Sequence, residues 1–151
     1  AAALKLVRKH RLWETFLVQR LGFGWDEVHE VAEQLEHVGS EKLVERLDEY
    51  LGRPAFDPHG DPIPDAQGRF PERVTLPLVE CAVGERIRLV AVKDPSDSLL
   101  HLLNEKGIGI GLEAEVRARQ DFDGSVELRT KQGPVHVVSG RVAEHLLMER
   151  R

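Results

Sequence analysis

The chain has 151 residues, 41% of them hydrophobic, and a formal net charge of −5. That length holds one ordinary domain or two small ones, and the lack of any long apolar run excludes a membrane span. Divided near residue 70, it carries 9 basic and 13 acidic residues before the division and 12 and 13 after it, so neither half has the overall positive charge of a nucleic-acid binder. From Leu4 to Leu21, residues Leu6, His10, Trp13, Leu17 and Leu21 recur at spacings of three and four, which predicts an amphipathic helix closed by Gly22 and Gly24. Its opening stretch is no signal peptide, because Lys5, Arg8, Lys9 and Arg11 interrupt the apolar residues. A second helix is predicted from about Asp26 to Val38, with Val28, Ala32 and Leu35 as its apolar stripe. Gly39 breaks it, and Ser40 caps a third helix that buries Leu43, Val44, Leu47 and Leu51 and stops at Gly52. Three short helices leave an apolar face uncovered, which favours self-association.

Between Arg53 and Pro77 six prolines and two glycines rule out regular secondary structure. The segment DPHGDPIP reads as an ordered turn, with a linker after it. The second half alternates like a small β domain. Strands are predicted at about Glu85–Val92, Ala114–Gln120, Ser125–Thr130 and Val135–Val138, punctuated by Asp121-Phe122-Asp123-Gly124 and by Gln132-Gly133. A short helix, Ser98 to Lys106, lies between the first two and is closed by Gly107. Four or five short strands in this space suggest an SH3-like barrel, and the whole an α+β chain.

The chemistry is concentrated in the first two helices. Residues four apart share a helical face, which pairs His10 with Glu14 and gathers His29, Glu33, Glu36 and His37 into one band. With Val28 at zero, the apolar stripe of the second helix fills about 60° of arc and the band roughly 80° to 180°. The plain alternative is a solvated polar face, yet such faces normally mix signs, whereas this one has two His, two Glu and the further Glu30 with no Lys or Arg among them. A divalent cation would relieve the repulsion, and imidazole with carboxylate suits a transition metal. His10 and Glu14 fall within the apolar stripe of their helix, where an unpaired carboxylate is costly. Mutual satisfaction or a pair with Arg11 is the alternative to ligation there.

Enzymatic metal patterns do not fit. A di-iron bundle needs Glu-x-x-His on two helices, and a zinc protease needs His-Glu-x-x-His. No glycine-rich phosphate loop or nucleophile triad is present, so no catalytic function is expected. Cys81 is the single cysteine, which excludes an internal disulfide and fits a reducing cytoplasm. His101, His136 and His145 carry no spacing signal, and His59 reads as a structural residue of its turn. Asp97 or Ser96 is the expected N-cap of the short helix in the second half.

Taken together, RKHRLWETFL, DEVHEVAEQLEHVGSEKLVERL and DPHGDPIP resemble the diphtheria-toxin-repressor family of metal-dependent transcriptional regulators. The resemblance implies a helical metal-binding and dimerisation domain over residues 1–64, a linker over 65–76 and an SH3-like, FeoA-type domain over 77–151. It implies an ancillary metal site at His10, Glu14 and His29 and a primary site at Glu33, Glu36 and His37, with Asp94 and Asp97 as the SH3-like domain's nearest added ligands. Iron-responsive members carry Cys at the position of Glu33 and manganese-responsive members carry Glu, so Mn(II) is favoured over Fe(II). The family opens with a winged helix-turn-helix, and this chain begins after that region. The implied protein is a homodimeric regulator whose DNA operator is bound only by the full-length form. The alternative is a metal-handling or adaptor protein acting through the SH3-like domain without DNA.

Overall fold

The computed structural model describes residues 2–151 and divides into two compact units, the first ending at Glu72 and the second beginning at Arg73. The first is helical and the second is built on a six-stranded antiparallel sheet, so the chain is α+β.

The first unit contains α1 (Ala2–Leu21), α2 (Val28–Leu35) and α3 (Glu41–Tyr50). α1 packs against a neighbour on each of two sides. Leu12 joins Val44, Leu47, Leu51 and Ile63 in one apolar cluster, while Leu17 joins Val28 and Ala32 in another, and Trp13 touches both. Two neighbours widen the buried arc of α1 beyond the single predicted stripe. Leu6 and Leu21, at the ends of that stripe, are 39% and 57% exposed, whereas Leu12, off the stripe, is fully buried. Truncating Leu12 to Ala would cost about 2–5 kcal/mol. α3 buries Val44 and Leu47 as expected but leaves Leu43 exposed. Ser40 caps it, its Oγ accepting from the Leu43 N–H at 3.1 Å.

α2 is shorter than predicted at both ends. The Glu27 N–H donates to the Gly24 carbonyl and the Glu27 carboxylate accepts from the Gly24 N–H, which closes a turn before the helix starts. At the other end the Val38 N–H reaches back only to the Leu35 carbonyl, so Glu36 and His37 lie in a terminal turn.

The proline-rich segment is ordered around Asp57. Its Oδ1 accepts from the N–H groups of His59 and Asp61, both at 2.9 Å, and its own N–H donates to the Asp61 carbonyl. Gly60 supplies the left-handed residue this turn requires, at φ +86°. The same turn recurs at Asp65, whose Oδ1 accepts from the Gln67 and Arg69 N–H groups. Arg11 donates to the Pro62 carbonyl at 2.5 Å, and with Ile63 packed in the Leu12 cluster this seats the Asp57 loop against α1.

The second unit runs β1 (Leu76–Pro77), a 3₁₀ turn (Leu78–Glu80), β2 (Arg86–Val92), α4 (Asp97–Lys106), β3 (Glu113–Arg119), β4 (Val126–Arg129), β5 (Val135–Val138), α5 (Gly140–His145) and β6 (Leu146–Arg150). The sheet order is β1-β6-β2-β3-β4-β5. Register shifts in β2 between Leu89 and Ala91 and in β3 between Val116 and Ala118 mark bulges, which bend a sheet toward closure. Ile87, Leu89, Val116, Leu128, Leu146 and Met148 fill the core. The four predicted strands and α4 are present, with no end moved by more than one residue. The 3₁₀ turn, α5, β1 and β6 go beyond the prediction.

Candidate metal centre

Helical spacing brings the predicted residues of α1 and α2 face to face. Glu14, 3% exposed, is the hub. Its Oε2 lies 3.3 Å from Nε2 of His10, one turn earlier on α1, and 3.9 Å from Nδ1 of His29 on α2. The rings of His10 and His29 meet edge to face with centroids 4.9 Å apart. Nδ1 of His10 is 2.5 Å from Oε2 of Glu36, whose Oε1 is 3.8 Å from Nε2 of His37. Nε2 of His29 is 3.1 Å from Glu33. The six residues therefore form a chain of alternating imidazole and carboxylate: His37, Glu36, His10, Glu14, His29, Glu33.

Burial divides this chain. His10, Glu14 and Glu36 have side chains 15%, 3% and 13% exposed, while His29, Glu33 and His37 are 64%, 56% and 72% exposed. His10, Glu14 and His29 offer ligand atoms that all lie within 4.8 Å of one another. Glu33, Glu36 and His37 are not gathered in the same way, since Glu33 turns to His29 and Glu36 to His10. Arg11 does not serve Glu14; its guanidinium is committed to the Pro62 carbonyl.

The Asp57 loop adds a second group that helical spacing does not reveal. Glu14, Asp57 and His59 are all buried and also offer ligand atoms within 4.8 Å of one another. Nδ1 of His59 is 3.8 Å from Oε2 of Glu14, and its Nε2 lies 2.7 Å from the Trp25 carbonyl. Because a carbonyl only accepts, Nε2 carries a hydrogen, and Nδ1 is the ring nitrogen that faces Glu14. Oδ2 of Asp57 is buried with no N–H donor, and the Asp57 carboxyl shares a side-chain hydrogen bond with Glu14. The nearest available signal was the turn itself, an Asp-x-x-Gly with a His inside it.

Electrostatics in the metal-free centre follow from burial and crowding. Burial, then the charges of Asp61 and Glu14, push the Asp57 carboxyl up to about 8. Burial would also raise Glu14, but its hydrogen bond to His10 and the nearby imidazoles outweigh it and the net direction is down. Burial alone would lower His10, yet Glu14 and Glu36 on its two sides raise it. Two buried carboxyl groups and an imidazole nitrogen gathered beside them fit a divalent cation, with oxygen and nitrogen donors of the hard to borderline class.

In the second unit, Asp94 has a left-handed backbone at φ +47° in the turn after β2, and Asp97 is the first residue of α4. Ser96 is the cap of α4, accepting from the Leu99 N–H at 3.2 Å. Neither Asp94 nor Asp97 belongs to the two gathered groups. Cys81 is buried, and desolvation pushes its thiol up to about 11, well outside the range of a reactive thiolate at neutral pH. No helix is long and apolar enough to cross a membrane among the described residues.

Comparison with known proteins assigns each unit. Residues 1–65 match the iron dependent repressor metal binding and dimerisation domain, and residues 76–150 match the FeoA domain. Over 64 residues the chain is 47% identical to an iron-dependent repressor of Mycobacterium tuberculosis, covering 42% of this chain and 28% of that protein. It is 50% identical over 64 residues to a probable metal transport system membrane protein of Chlamydia trachomatis, covering 42% of this chain and 14% of that protein. This chain thus spans less than a third of either relative. A solved manganese-dependent transcriptional repressor in complex with manganese superposes with a TM-score of 0.92 at 38% identity, covering 99% of this chain and 71% of that one. The first of the two matched domains is a repressor's metal-binding domain and not a catalytic one. The chain belongs to the diphtheria-toxin-repressor family of iron- and manganese-dependent regulators, as a metal-binding and dimerisation domain followed by a FeoA domain.

Proposed function

We propose that this chain is the metal-sensing and dimerising part of a cytoplasmic transcriptional regulator that responds to Mn(II), with Fe(II) as the runner-up. The observation that carries the reading is Glu14, 3% exposed, with its carboxylate facing the imidazoles of His10, His29 and His59. A buried carboxylate ringed by three imidazoles is a donor set that suits a divalent cation. His10, Glu14 and His29 would hold one ion; Glu33, Glu36 and His37, with ligands from elsewhere in the protein, would hold another. Asp94 and Asp97 remain the candidate additions from the second unit. The carboxylate of Glu33, harder than a thiolate, favours Mn(II). The similarity to the solved manganese-dependent repressor supports the same metal.

Two copies would pair through the helical unit, whose exposed Leu21, Leu43 and Tyr50 supply apolar surface. In a complete protein with a DNA-reading domain, metal would bind better to the conformation that holds two such domains at operator spacing, and so shift the population toward it. Titration calorimetry with Mn(II) tests the core claim. Substituting Glu33→Ala together with His37→Ala weakens binding on this reading, and an unchanged isotherm means that the α2 face is merely solvated. Sedimentation at micromolar concentration returns a dimer, and a monomer counts against the partner assignment.

A second reading is a metal-handling protein that does not bind DNA, favoured by the similarity to the chlamydial metal transport protein. The two separate on whether the coding sequence upstream encodes a winged helix-turn-helix in frame.

A further inference from the structure

We propose that Glu14 serves a single metal ion in two alternative positions, an outer one completed by His10 and His29 and an inner one completed by Asp57 and His59. The proposal rests on the metal-binding reading above and adds to it a rule of occupancy.

The two ligand groups meet in one atom. Oε2 of Glu14 is the oxygen that faces His10 at 3.3 Å, His29 at 3.9 Å and His59 at 3.8 Å. The inner group is ready to receive a cation. The Trp25 carbonyl fixes the His59 hydrogen on Nε2, and the Trp25 ring stacks on the imidazole with centroids 6.3 Å apart and planes 17° from parallel. Asp57 uses Oδ1 for the two backbone N–H groups of its turn, and its buried Oδ2 has no N–H donor. Its carboxyl instead shares a hydrogen bond with Glu14, so two buried acid groups are held together beside His59, and a dication can take the place of the proton between them. The outer group differs in access, since the side chain of His29 is 64% exposed.

Charge decides between one ion and two. As ligands Glu14 and Asp57 are both ionised, and one dication cancels their two negative charges. A second dication against the same oxygen would leave net positive charge where Glu14, Asp57 and His59 are 3%, 6% and 5% exposed, and uncompensated buried charge is strongly unfavourable. The carboxylates that remain nearby, Glu33 and Glu36, belong to the other proposed site. Occupying the inner position therefore withdraws Glu14 from His10 and His29, and the reverse.

Equilibrium dialysis against Mn(II), with metal counted per chain, tests this on the full chain. The expected result is that Asp57→Asn and His29→Ala each bind as many ions as the unaltered protein, because the ion takes the other position. The double variant and Glu14→Gln each bind one fewer. Asn retains the acceptor oxygen that organises the turn, and His29 is exposed, so both single variants should fold; matching far-ultraviolet circular dichroism checks this. If each single variant loses one ion, or Glu14→Gln loses two, the positions are filled together and the proposal falls while metal binding stands. If the unaltered chain binds no Mn(II), both this proposal and the metal-sensing reading fall.

Discussion

Nδ1 of His10 lies 2.5 Å from Oε2 of Glu36, joining α1 to the turn that ends α2 by a largely buried polar contact. Glu33, one turn earlier, makes the same kind of contact with His29 in the open. The pairs share their chemistry and differ in burial, which predicts unequal costs. In the metal-free chain Glu36→Ala should lower stability by about 1.5–3 kcal/mol, the range for a hydrogen bond to a charged group. Glu33→Ala should change it by less than about 0.5 kcal/mol, as for an exposed pair. Urea denaturation with a chelator present measures both, and equal losses would show that the burial difference is not felt.

Metal binding should stabilise the folded first unit through Glu14. A ligand that binds only the native state at 100 times its dissociation constant adds about 2.7 kcal/mol. Mn(II) should therefore raise the denaturation midpoint of the unaltered chain, and the rise should be smaller in Glu14→Gln. A variant that retained the full rise would remove Glu14 from the centre.

How much of this centre was visible beforehand depended on the length scale that carried it. His10 with Glu14 and His29 with Glu33 are separated by one helical turn, a local period that the sequence displays. Asp57 and His59 reach Glu14 only because Arg11 holds the Pro62 carbonyl and Ile63 packs beside Leu12, contacts made across the fold. A loop rich in proline advertises its turn and conceals which way its carboxylate points. Leu12 was missed for a related reason, since a single stripe presumes a single neighbour and α1 has two. In the second unit β6 follows α5 without a loop, so no turn residue announces it.

Gly140 opens α5 where two backbones touch. A Cβ there would stand 2.3 Å from the Asp123 carbonyl oxygen and 3.1 Å from Cα of Gly124, both backbone atoms of the turn between β3 and β4. Neither can swing aside as a side chain would. Gly140→Ala should destabilise the second unit by about 1–3 kcal/mol, the usual cost of overpacking. Gly39, with nothing near its Cβ position, is the control and should tolerate Ala at little cost. Thermal melts of the two variants compare them, and equal melting temperatures would mean that the turn yields.

Acid should weaken the second unit through carboxylates that the fold holds ionised. The Ala82 N–H at 2.7 Å and then Arg150 at 2.6 Å hold Glu85 below the usual carboxylate range. Arg129 does the same for Glu115, and the Ser125 N–H for Asp123. With folded pKa values below unfolded ones, the unfolded chain binds protons first as pH falls, so the stabilisation present above about 4.5 is lost as pH drops through the folded values. The melting temperature should hold steady from neutrality to about pH 5 and fall below that. Glu85→Gln keeps an acceptor for the Ala82 N–H but gives up the charge facing Arg150, so its melting temperature should start lower and decline less steeply. A profile that stayed flat or rose on acidification in both proteins would mean that these exposed contacts contribute nothing to the folded state.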